Sequence, residues 1–61
     1  MAYKLKMRAE DVEPGDVVIT SHGTRYTVKS FWMEDGKVTL FGADGSETEY
    51  DYYDMLNVER D

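Results

Sequence analysis

Turn signals recur so closely along this chain that no long helix fits between them. Pro14-Gly15, Gly23, Asp35-Gly36 and Asp44-Gly45 succeed one another across the middle of the sequence. Proline presets φ for the first centre of a type II turn and glycine accepts the positive φ of the second, which suits Pro14-Gly15. Asp-Gly is favoured where both centres need positive φ, so Asp35-Gly36 predicts a two-residue type I′ hairpin. The segments between these signals are therefore expected to be short and extended.

Their patterning agrees. "YKLKMR" (3–8) alternates strictly, with Tyr3, Leu5 and Met7 on one face and Lys4, Lys6 and Arg8 on the other, the period-two mark of a half-buried strand. Ala9 to Val12 suits one helical turn, and Asp16 opens the β-branched strand "VVIT" (17–20). "RYTVKSFWME" (25–34) is the longest strand. Strict alternation would put Tyr26, Val28, Ser30 and Trp32 on one face and Thr27, Lys29, Phe31 and Met33 on the other. Neither set is wholly apolar, which predicts a bulge near Ser30. "VTLFG" points Val38 and Leu40 inward and Phe41 the other way; "SETEYDY" and "MLNVER" supply two more strands, with "YYDM" as a single tight helical turn between them. Five or six short strands without a long helix predict a small antiparallel barrel or a strongly bent sheet, and closure would remove exposed edges.

Taken in order, "AEDVEPGDVV", "RYTVKS", "DGKVTL", "DGS" and "LNVE" resemble the small SH3-like barrels encoded by actinobacteria and their phages, over about Met7 to Arg60. The resemblance implies an all-β, SH3-like antiparallel barrel of five to six short strands, with a one-turn helix over "DYYDM" before the last strand. Residues 1–61 would be a single domain. Residues 1–8 would be an extra N-terminal strand that pairs within the barrel or with another chain. Such barrels host many unrelated activities, so function has to be argued from the surface.

The totals narrow the classes. A chain of 61 residues has room for one small core and little for a deep pocket. At 41% hydrophobic residues it is too apolar for a disordered acidic tail. With no cysteine there is neither a disulfide framework nor a thiolate metal site, which points to a reducing compartment. "MAYKLKMRAE" lacks the apolar run of a signal peptide and no segment reaches membrane-spanning length, so a cytoplasmic protein is expected, in the host cytoplasm if phage-encoded. A net charge of −6 repels nucleic acid at long range and favours a basic protein partner.

Neither catalysis nor a cofactor is expected. Ser21 and His22 are adjacent, so in a strand they would point to opposite faces, and no third residue is placed to orient the imidazole. The acids of "DGSETE" depart from the calcium-loop pattern in the position of the glycine, and a single histidine gives zinc no ligand set.

Three constellations remain. Glu47, Glu49 and Asp51 recur at i, i+2 along one strand, spaced by about 6.6 Å at ~3.3 Å of rise per residue, and Asp44 and Asp54 would extend the row. Such a row either imitates a strand of phosphates or is the wet side of a strand whose Thr48, Tyr50 and Tyr52 face the core. Phe31, Trp32 and Met33 form a large apolar run that Phe41 would join across the hairpin, with Tyr52 and Tyr53 at its margin. Such side chains are enriched at interface centres. Lys4, Lys6 and Arg8 would lie against the acidic row, within the chain or by strand addition between copies. These features predict a non-enzymatic protein-interaction module that binds a host or self protein surface, homo-oligomerising through the apolar patch or the N-terminal strand. One alternative is an acidic DNA-mimic decoy for a nucleic-acid-binding protein. The other is direct nucleic-acid binding, for which only Lys4, Lys6, Arg8 and Lys29 would form a basic face.

Overall fold

The computed structural model describes residues 3–61, so Met1 and Ala2, part of the extra N-terminal segment, lie outside the described residues. Six strands follow in order: β1 (Tyr3–Arg8), β2 (Val17–Ile19), β3 (Arg25–Glu34), β4 (Lys37–Gly42), β5 (Glu47–Asp51) and β6 (Met55–Arg60), with a single 3₁₀ turn over Ala9–Asp11. They form one antiparallel sheet in the order β1-β6-β2-β3-β4-β5. The sheet is open, with β1 and β5 as its edges. Among the described residues no helix is long and apolar enough to cross a membrane.

The turns form where the local chemistry requires them. Gly15 has φ 98° and the Asp16 N–H donates to the Glu13 carbonyl at 3.1 Å, closing the Pro14-Gly15 turn. Asp35 and Gly36 both have positive φ, 50° and 78°, as a type I′ hairpin demands. Before β6, however, the expected helical turn is replaced. Only Tyr52, Tyr53 and Asp54 separate β5 from β6, and the Asp54 N–H bonds the Asp51 carbonyl at 3.1 Å in a tight turn. The Tyr52 N–H is already committed to Gly36 at 3.0 Å, extending the β4 ladder rather than a helix.

β3 bends the sheet. Its Arg25–Thr27 segment pairs with β2 and its Val28–Glu34 segment with β4. At the handover Val28 faces Gly42 and Ser30 faces Phe41, leaving Lys29 as the extra residue of a β-bulge, close to the expected Ser30. The core lies on the concave side: Val12, Val18, Val28, Val38, Leu40 and Val58 are fully buried, joined by Ala9, Tyr26 and Leu56. Burying each such aliphatic side chain contributes about 1.5–3 kcal/mol. The 3₁₀ turn carries Ala9 into this core, and it is tied to the β5–β6 turn by bonds from the Ala9 N–H to Asp54 at 2.8 Å and from the Glu10 N–H to Tyr52 at 3.3 Å.

One buried charge crosses the molecule. Asp16 is 4% exposed and takes a two-pronged contact from Arg60, Nε to Oδ1 at 2.9 Å and the terminal nitrogen to Oδ2 at 2.8 Å. It also accepts the Glu13 N–H at 2.9 Å, while Arg60 reaches the Asp11 carbonyl at 3.3 Å. The Arg60 hydrogen bond holds the Asp16 carboxyl below its ordinary pKa against the opposing effect of burial. This clasp fastens the end of β6 to the loop before β2.

Candidate interaction surface on the outer face of the sheet

Residues directly opposite on neighbouring strands share a face, so the registers of β3, β4 and β5 sort the candidate side chains. Three cross-strand rows stand on the convex side: Ser30, Phe41 and Glu47; Trp32, Thr39 and Glu49; Glu34, Lys37 and Asp51. Trp32 and Phe41 therefore share a face with the carboxylates of β5, as diagonal neighbours. The acidic row and half of the apolar run form one surface.

The other half does not join it. Phe31 lies opposite Leu40 and Met33 opposite Val38, both buried, so these two belong to the core side, at its open rim. They are 40% and 36% exposed, against 61% for Trp32. The expected contact of Phe41 with Phe31 or Met33 is thus corrected: the bulge at Lys29 reverses the parity of everything after it, and Phe41 sits opposite Ser30. Tyr52 is half-buried against the core, and Tyr53 is exposed beneath the Arg8 guanidinium, 5.2 Å from its ring centre. Neither borders Trp32 in the sheet.

The acidic row is shorter than its sequence. Glu47, Glu49 and Asp51 are exposed and alternate with half-buried Thr48 and Tyr50. Asp51 is paired with Lys37, whose amine pKa it raises. Asp54 does not extend the row, because its carboxylate turns back to accept the Asp51 N–H at 2.9 Å. Asp44 likewise closes its own turn on the Ser46 N–H at 3.0 Å. Glu34, absent from the expected row, stands on this face instead and accepts from the Trp32 indole at 3.4 Å. Trp32, Glu34, Lys37, Thr39 and Glu49 border a shallow hollow of about 220 Å³.

The basic strand lies elsewhere. β1 pairs with β6, setting Lys4 opposite Glu59, Lys6 opposite Asn57 and Arg8 opposite Met55. The expected pairing with the β5 row within the chain is absent among the described residues, because β1 and β5 occupy opposite edges. Glu59 has its own partner in Arg25, 2.5 Å away on the neighbouring side. Ser21 and His22 sit exposed in the β2–β3 turn.

Two polar arrangements gave no sequence signal that reasoning on strands uses. The Asp16–Arg60 clasp joins residues from the two ends of the chain. The Tyr26 and Tyr50 hydroxyls meet at 3.3 Å, and burial, then that contact, pushes the Tyr26 phenol well above its ordinary range. The tyrosine pair lies on the core side of β3 and β5, beneath the outer face, whereas the clasp joins β6 to the loop before β2. No family model, curated protein or solved structure matches this chain.

Proposed function

We propose that this chain is a non-enzymatic protein-interaction module that engages a basic protein segment on the convex face of β3–β5. The observation that carries the reading is the register that sets exposed Trp32 and half-buried Phe41 among Glu34, Glu47 and Glu49. An aromatic face flanked by carboxylates suits lysine and arginine side chains twice over, through cation–π contact and charge pairing. A DNA-mimic role has less support, because Lys37 neutralises Asp51 inside the row and Asp54 is spent on a turn. For the fold, the run β6-β2-β3-β4-β5, the shared strand β3 and the ties from the 3₁₀ turn to the β5–β6 turn support an SH3-like barrel to which β1 is appended.

Trp32 is the only tryptophan, so its emission reports directly on this face. Titration with a synthetic strand of alternating lysine and valine should shift it, and the affinity should fall as salt is added. By calorimetry Trp32→Ala should abolish binding while costing the fold no more than about 0.5 kcal/mol, the usual range for an exposed site. Unchanged affinity in Trp32→Ala, or cooperative unfolding lost on that substitution, would sink the assignment.

A further inference from the structure

The two free edges of the sheet match each other in a way that the backbone enforces. The ladder between β4 and β5 is bracketed by Gly42 N–H to Ser46 at 2.8 Å and Tyr52 N–H to Gly36 at 3.0 Å. Since bonded and non-bonded positions alternate in an antiparallel pair, the even-numbered residues of β5 bond to β4. Glu47 and Glu49 therefore turn their own N–H and C=O groups outward, whereas those of Asp51 are taken by Asp54. The same reasoning applies to β1, whose ladder with β6 continues into the bond from the Ala9 N–H to Asp54. Its odd-numbered residues bond inward and Lys4, Lys6 and Arg8 present the free groups.

On each edge, then, the residues with free backbone groups are the charged ones, basic on β1 and acidic on β5. Both charged rows also lie on the convex side: Lys4 and Lys6 stand opposite exposed or half-buried polar residues of β6, whereas Leu5 and Met7 stand opposite buried Val58 and Leu56. We infer that the chain assembles head to tail, β1 of one copy adding antiparallel to the free edge of β5 in the next. In any register that completes the hydrogen-bond ladder, lysine or arginine falls directly opposite glutamate or aspartate. Pairing β5 with β5, or β1 with β1, would set like charges opposite each other and is disfavoured by the same geometry. The concave sides match as well: with Lys6 opposite Glu49, exposed Leu5 and half-buried Met7 would meet Tyr50 and Thr48. A heterologous contact of this kind leaves one free edge of each type on every assembly until a ring closes. The inference rests on reading the β5 carboxylates as a contact surface and names a second copy as what they contact.

The test is a charge exchange at the two row centres, Lys6→Glu and Glu49→Lys, whose cross-strand neighbours within the chain, Asn57 and Thr39, are uncharged. Sedimentation of the wild-type chain over a concentration series should show a progression of assemblies. Each single variant, checked for folding by circular dichroism, should raise the apparent dissociation constant about tenfold, and mixing the two should restore association. Glu49→Pro removes an outward N–H without touching the β4 ladder, and it should prevent association at any salt concentration. A wild-type chain that stays monomeric, or association indifferent to all three variants, would overturn the inference. So would a monomer with exchange-protected Glu47 and Glu49 amides, which would mean that the chain closes its own seam. Those results leave Trp32-dependent peptide binding standing, whereas loss of peptide binding alone leaves head-to-tail assembly standing.

Discussion

Asp16 shows how much one residue carries in a chain this short. Its carboxylate is buried and holds Arg60 and the Glu13 N–H at once, so Asp16→Ala would strip partners from both sides of the β2 loop. Hydrogen bonds to a charged group put the loss at about 2 kcal/mol, readable as a shift in the urea midpoint with an unchanged slope. The acid limb follows from the same contact. Because the folded carboxyl titrates below its ordinary value of 3.8, the unfolded chain takes up this proton first as pH falls. The stabilisation is complete above that ordinary value and disappears as pH drops through the depressed one. Asp16→Asn should therefore melt lower near neutrality and show a flatter fall of melting temperature in acid. In the sequence Asp16 reads only as a strand opener, since its partner lies 44 residues further along the chain and only the pairing of β6 with β2 brings them together.

At the scale of elements, most of the architecture was legible because turns are local. Pro14-Gly15 and Asp35-Gly36 adopt the backbone angles that their chemistry requires, and the strands begin and end around them. Gly36→Ala would force a side chain into left-handed backbone, costing about 1 kcal/mol, a shift that thermal melting of the variant should show. Nothing else crowds the position, so the cost is conformational rather than steric. What alternation alone misassigned was the second half of β3. A bulge was expected, but its consequence was not carried forward: one unpaired residue at Lys29 sends Phe31 and Met33 to the core side and Trp32 outward. The closing "YYDM" was misread for a related reason, because a three-residue link has room for one turn bond and no helical continuation. Which strand takes β1 as neighbour is a long-range fact, and the alternation of β1 is silent on it.

For the whole molecule, the core is small enough that single side chains matter. By the usual scale of about 0.05–0.15 kcal/mol per residue, total stability is about 3–9 kcal/mol. Leu40 is fully buried at the centre of β4, and Leu40→Ala would cost about 3 kcal/mol. Against that total the loss should lower the melting temperature by more than roughly ten degrees, measurable by circular dichroism. A variant that melts within a few degrees of the wild type would mean that the core is reinforced from outside the single chain. The sheet order carries one more consequence. The sixth strand in chain order, β6, lies between the first two, β1 and β2. On the ribosome, β1 and β2 have no ladder to join them until β6 has emerged. Removing β6 would therefore detach β1 from the sheet and leave one side of β2 without a ladder.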